Sequence, residues 1–244
     1  MFNQTNLKRP AASFAAVIGL SLVLSACGGG GGGITPTPDP KPDPTPTEQA
    51  GLIMGKVTPG QATSLQPDEL PTTALVSAQG QFDLNLPNFA QMTGTYASTL
   101  FNAKDVFGCS DDEIQTYTAP AGLKITPVNF LKNETSQRFI APVNQAATTY
   151  NFKAWWFSNM DATVVFKANC LVASKIDTTL NLKRGWNVLN TDFDFGKSTT
   201  YAVTSQPTTY IPWVKANAAA SLSTQALAAN VLEPWKNLPQ YRNR

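Results

Sequence analysis

From residue 51 onward, apolar and polar residues alternate over short runs, the period of a strand with one buried and one wet face. Gln81-Phe82-Asp83-Leu84-Asn85-Leu86 turns Phe82, Leu84 and Leu86 to one side. Ile176, Thr178, Leu180 and Leu182 repeat the period against Asp177, Thr179, Asn181 and Lys183. Further strands are expected over Leu52 to Val57, Leu123 to Asn129, Tyr150 to Phe157, Ala162 to Ala168, Trp186 to Asn190, Thr199 to Thr204 and Tyr210 to Lys215. Gln79-Gly80 reads as the turn of a hairpin joining Thr73 to Ala78 with the strand at 81. Short strands separated by Gly, Pro, Asn and Asp predict a mainly β fold, an antiparallel β-sandwich. The alternating helices of a parallel α/β fold are missing. One or two short helices are expected, over Tyr96 to Ala103 and, more strongly, over Ala218 to Leu232, with Asn217 as N-cap and Pro234 beyond the end.

The first fifty residues have a different pattern. Lys8 and Arg9 precede an apolar run, Ala11 to Val23, too short to span a bilayer as a finished helix, and Leu24-Ser25-Ala26-Cys27 closes it. In these residues the chain resembles the bacterial lipoproteins. That resemblance implies that residues 1–26 are a signal peptide, that Cys27 receives a diacylglyceryl group and becomes the new N-terminus, and that this terminus is acylated. Two or three chains, at about 0.8 kcal/mol per buried methylene, hold a protein firmly in a membrane. Gly28, with no acidic residue beside it, implies by the same resemblance sorting to the outer membrane of a two-membrane bacterium. Gly28 to Gly33 form a flexible joint, and prolines at every second position from Pro36 to Pro46 make the next segment stiff. Polyproline geometry would carry Ile34 to Gln49 on the order of 50 Å. Residues 27–50 are thus a lipidated cysteine and a disordered Gly/Pro tether, 51–216 the β-sandwich, and 217–244 a C-terminal helix and tail.

Loss of the signal changes the charge balance. The eighteen basic residues include Lys8 and Arg9, so removing these leaves sixteen against sixteen acidic ones. No basic run remains beyond Lys183-Arg184, which excludes an electrostatic footprint for nucleic acid. Of three cysteines, Cys109 and Cys170 are left once Cys27 carries lipid, and export to an oxidising compartment predicts a disulfide between them. On the chain-entropy model, a closed loop of about 60 residues contributes roughly 4 kcal/mol. Leu182-Lys183-Arg184-Gly185-Trp186-Asn187-Val188, with Ala78-Gln79-Gly80-Gln81-Phe82-Asp83-Leu84, the adjoining Leu86-Pro87 and the cysteine pair, resembles uncharacterised β-rich cell-envelope lipoproteins. This implies a similar fold and brings no activity.

The chain contains no histidine, which excludes Ser-His-Asp and Cys-His nucleophiles and H-E-x-x-H zinc proteases. There is no S-x-x-K and no G-x-S-x-G. Gly196-Lys197-Ser198 is a turn and no phosphate loop, since Thr191 stands where the first glycine belongs. Two carboxylate groups remain for hydrolysis or cation binding: Asp192 with Asp194, and Asp111, Asp112 and Glu113 after Cys109. Calcium-loop spacing fails, because Val203 takes the terminal glutamate's place. The aromatic residues are the better lead. Trp155 and Trp156 fall on opposite faces of one strand, so an exposed ring there, with Trp186, Tyr210 and Trp213, would stack on a sugar, a peptide or a protein. Expected, then, is a lipid-anchored cell-envelope protein without catalytic residue, metal or cofactor, working as a binding or structural module toward an envelope protein. A cell-wall polysaccharide module using Trp155, Trp156, Trp186 and Trp213 ranks second, and a carboxylate-dependent glycosidase third.

Overall fold

The structure, a computed structural model, describes residues 48–143, 150–170, 174–194, 197–216 and 232–241. The signal segment, Cys27, the tether to residue 47 and the helix expected over Ala218 to Leu232, apart from Leu232, lie outside the described residues. The fold is mainly β, in sandwich-like layers. A small sheet is formed by β1 (Leu52–Lys56), β4 (Gln81–Asn85) and β15 (Ile211–Pro212), in the order β15-β1-β4. β2 (Ser64–Pro67), β3 (Ala74–Leu75), β8 (Leu131–Lys132) and β9 (Arg138–Pro142) open a larger sheet. It continues through four long strands and one shorter one: β10 (Tyr150–Ser158), β13 (Gly185–Asp194), β14 (Ser198–Thr204), β12 (Ser174–Leu182) and β11 (Ala162–Cys170). The far edge is β6 (Ile114–Thr118), while β7 (Lys124–Val128) pairs with β10, β5 (Phe101–Asn102) with β7, and β16 (Val214–Lys215) with β9. Pairing is antiparallel except between β1 and β15 and between β12 and β14.

The strands at 81 and 176 behave as their alternation predicts. β4 buries Phe82 and Leu84, and β12 buries Ile176, Thr178, Leu180 and Leu182. The hairpin before β4 is corrected: β3 ends at Leu75 and pairs with β2, while β4 lies against β1 in the register Ile53↔Leu84 and Gly55↔Phe82. The turn itself forms, since Gly80 N donates to Ser77 O and Ser77 N to Gln81 O. β1 wins the pairing because its Ile53 shares the apolar face of β4, and Gly55 leaves room for a ring: a Cβ there would sit 2.1 Å from Phe82 and 2.6 Å from Trp213. The helix expected over Tyr96 to Ala103 is also corrected. The helical turn comes earlier, as α1 (Phe89–Thr93), started by a capping box between Asn88 and Gln91. Ala97–Thr99 makes one 3₁₀ turn, and Phe101 is taken into β5 because its ring belongs in the core.

Trp155 and Trp156 do face opposite ways, and each enters a core of its own. In the first core Phe107 stacks on Phe166 at 4.1 Å and meets Trp156 and Tyr201 edge-on. Its open side is filled by Asp105–Phe107, a 3₁₀ turn, and by the segment 232–241, where Trp235 packs on Phe101. Cys109 and Cys170 form the expected disulfide and tie that turn to the end of β11. In the second core Trp155 stacks on Trp213 at 5.7 Å, Phe82 meets Trp213, and Phe157 meets Trp186, so the small sheet packs on the back of β10 and β13.

Candidate functional site

The packing removes the aromatic stacking platform. Trp155 is 0% and Trp156 1% exposed, and Trp186 and Trp213 are 2% exposed, so none of the four offers a face to a ligand. Both sides of the central strands are covered, which a single strand's alternation does not reveal. Trp156 Nε1 donates to Asn129 Oδ1 at 3.0 Å and Trp186 Nε1 to Pro87 O at 2.8 Å, which fixes those rings as structural parts. Tyr210 remains half-exposed, its hydroxyl donating to Asp83 at 3.1 Å.

Among the described side chains, the carboxylates named from the sequence do not converge. Asp111 pairs with Lys104 at 2.6 Å on the surface, Asp112 is exposed, and Glu113 accepts from Ser110 N at 2.7 Å. Asp192 stands on β13 opposite Asn151 and Thr200; Asp194 pairs in register with Ser198, and its side chain lies outside the described residues.

A different acidic group, not foreseen, comes together from distant parts of the chain. Asp68 follows β2, Glu69 is its neighbour, and Glu233 arrives with the C-terminal segment; their oxygens lie within 4.8 Å of one another. Arg138 Nη2 reaches Glu233 Oε2 at 2.5 Å and Lys236 Nζ reaches Glu233 Oε1 at 2.5 Å, while Asp68 pairs with Lys132 and, at 3.4 Å, with Lys236. Three cationic heads thus face three carboxylates and stand where a metal ion would, so the group reads as an internal ion-pair network. Burial opposes ionisation of Asp68, but its hydrogen bond with Glu233 and the Lys132 and Lys236 charges outweigh it and lower the pKa to about 2. Burial and the hydrogen bond with Asp68 push Glu233 upward, against Lys236 and Arg138. The two carboxyls touch, whereas a glycosidase pair stands at least about 5 Å apart, and Glu233 is 1% exposed. The network holds residues 232–241 in place, helped by Asn129 Nδ2 donating to Leu232 O and Tyr241 donating to Asp105.

Open polar surface lies elsewhere, on the outer face of β6, β11 and β12. Thr116 and Thr118, Thr163, Lys167 and Asn169, and Lys175, Asp177, Thr179 and Asn181 are all exposed. At one end the face deepens into an open groove of about 740 Å³ lined by Thr118, Pro120, Asp161, Thr163, Asn181 and Lys183. Its walls are fixed by hydrogen bonds. Thr163 Oγ1 donates to Asn181 Oδ1 at 2.9 Å, and Asp161 accepts from Arg184 N at 2.7 Å and Lys183 Nζ at 3.1 Å. These donors, the backbone one foremost, hold Asp161 below the ordinary carboxylate range. The described chain begins beside this groove. Gln49 bridges Gly185, its N–H donating to Arg184 O and its carbonyl accepting from Trp186, at 3.0 and 2.9 Å. Gly185 is required there, with φ +95° and a would-be Cβ 2.4 Å from Gln49 O. Glu48 accepts from Phe89 N at 2.5 Å, and the Arg184 guanidinium lies 3.6 Å from the Phe89 ring. Hydroxyl, amide, carboxylate and ammonium groups stand among the apolar carbons of Ala119, Pro120 and Leu182, without a nucleophile and base in contact, and these few polar groups can direct hydrogen-bonded recognition on a mostly apolar lining. No protein-family model, curated protein or solved structure matches this chain.

Proposed function

We propose that the protein is an exported lipoprotein of the cell envelope, anchored through lipid on Cys27 and presenting a non-catalytic binding module on a Gly/Pro tether, with a protein of the envelope as its partner. The anchor rests on the resemblance of Leu24-Ser25-Ala26-Cys27 alone, and the observation that supports a binding module is the division of labour among the reactive side chains. Tryptophans and buried carboxylates serve the cores and the internal ion pairs, while the polar face of β6, β11 and β12 with its groove stays open. A flat face of threonine, asparagine and paired charges suits a polar partner more than an apolar one. The mix of Thr163, Asn181 and Asp161 in the groove favours cell-wall polysaccharide as a second reading, bound by hydrogen bonds in place of ring stacking. The carboxylate hydrolase gains no support from the positions of the acids.

Metabolic labelling of the full-length protein with an alkynyl fatty acid tests the anchor. Label and membrane retention are expected in the parent and absent in Cys27→Ala; an unlabelled, soluble parent defeats it. Cross-linking from the groove in intact cells, with Asn181 replaced by a photoreactive residue, is expected to capture an envelope protein. Saturable retention on purified wall polysaccharide without such capture moves the second reading to first place.

A further inference from the structure

The central strands carry a half-buried rung of polar side chains beside the apolar row of the second core. Lys153 on β10 and Asn190 on β13 are directly opposed in register, and Lys153 Nζ donates to Asn190 Oδ1 at 2.9 Å. Both side chains are half-buried. The next pair along the same face is apolar, Trp155 with Val188, and both are buried. The rung on the other side is Asn151 with Asp192, where Asn151 Oδ1 and Asp192 Oδ1 are shielded from solvent. Across the sheet the lysine and the asparagine are flanked by Ala141 and Ala202, whose small side chains leave the two free to approach.

We propose that Lys153 and Asn190 become joined by an intramolecular isopeptide bond, with Asp192 as the proton carrier. A hydrogen bond to Oδ1 leaves the carboxamide carbon one bond from the contact, within a side-chain torsion of the distance at which attack begins, about 3 to 3.5 Å. Burial beside Trp155 also lowers the Lys153 ammonium below its ordinary value, which favours the neutral amine the reaction needs. In the step, the Lys153 ammonium yields a proton to the Asp192 carboxylate, and Nζ forms a bond to Asn190 Cγ. A proton from that nitrogen passes to Nδ2, the Cγ–Nδ2 bond breaks, and ammonia leaves, taking the proton held on Asp192. An ammonium and a carboxamide thus become a secondary amide and an ammonium ion, with no oxidant or co-reactant. The product ties together residues 37 positions apart in the two strands that carry both cores, and like a disulfide it would restrict the unfolded chain. Unlike a disulfide, it survives reduction, which suits a domain exposed to the envelope environment.

The test is tryptic digestion and tandem mass spectrometry of the full-length protein purified from the envelope of an exporting bacterium. The expected product is residues 139–167 joined to residues 185–197, lighter by one ammonia than the two together and uncut at Lys153. Fragment ions from both chains distinguish this from ammonia loss within Asn190 alone, which gives no linked species. Asp192→Asn, checked for fold by circular dichroism, is expected to slow or abolish linkage; undiminished linkage removes Asp192 from the step. Recovery of residues 139–153, 154–167 and 185–197 as separate peptides from folded, oxidised protein overturns the proposal without reference to any variant.

Discussion

The two faces of β10 and β13 are covered in different ways. Behind Trp155 the cover is another sheet, made of β1, β4 and β15, whose alternating residues meet an alternating partner. Behind Trp156 it is irregular chain: a 3₁₀ turn, its disulfide and a C-terminal segment held by ion pairs. A regular cover satisfies its own backbone through strand pairing, so apolar burial alone can hold it. An irregular cover lacks that ladder and is fixed by discrete ties, in this case Cys109–Cys170, Asn129 and Glu233. The first face should therefore respond to volume changes, and the second to the loss of single bonds.

Substitution of the paired tryptophans gives the largest contrast. Trp155→Ala and Trp156→Ala should each cost about 3–5 kcal/mol by loss of a buried ring. Trp156 also satisfies Asn129 Oδ1, so Trp156→Ala leaves a buried acceptor unpaired at a further cost of about 1–3 kcal/mol. Urea unfolding of Trp155→Phe and Trp156→Phe isolates that difference. Both lose similar apolar area, but only the second orphans Asn129, and equal midpoints would show that the two faces tolerate change alike.

Reduction of the disulfide comes next. Loss of Cys109–Cys170, or Cys109→Ser with Cys170→Ser, should cost about 2–5 kcal/mol. Hydrogen exchange should locate the damage: faster exchange over 101–109 and 232–241, with β1 and β4 unchanged while the protein stays folded. Uniform acceleration across both covers would mean that the disulfide acts only through the unfolded chain.

The same division explains what the sequence reveals. Alternation identifies β4, β11 and β12 because each has one wet face, and two adjacent tryptophans must point to opposite sides of any strand. What covers them is not legible, because Phe82 and Trp213 are brought to Trp155 from distant parts of the chain. β9 escapes the pattern because Phe139, Ile140 and Ala141 are buried on both faces, and β6 because, at an edge, four of its five residues are exposed. β13 is foreseen only to Asn190 and continues to Asp194, since Thr191 and Phe193 still face the first core. The disulfide could be inferred from the cysteine count together with the export that the lipoprotein resemblance implies. Glu233 gave no such signal: Lys236 is only three residues away, but Asp68 and Arg138 are distant in sequence and only the fold brings them to it.

Acid should loosen the second cover before the first. Asp68 has a folded pKa of about 2 against an ordinary 3.8, so its contribution to stability is complete above 3.8 and lost as the pH falls from there toward 2. Glu233, raised by burial, has the opposite sign: its neutral form is favoured in the fold, and its contribution is lost as the pH rises through its folded pKa. Denaturant midpoints across the acid window should fall in the parent and fall less in Asp68→Asn. If the slopes are equal, the acid sensitivity arises outside this network.

The smallest expected change in stability belongs to neither cover. Asn181 and Thr163 lie on the outer face, and their mutual hydrogen bond is exposed, so Asn181→Arg should leave the unfolding midpoint within about 0.5 kcal/mol of the parent. Its effect should fall on recognition, because a long cation beside Lys183 both fills the groove and unbalances the charge that Asp161 now neutralises. Loss of partner cross-linking with the midpoint unchanged would separate the open face from the two cores. Full cross-linking by a stable Asn181→Arg protein would instead move the contact surface away from the groove.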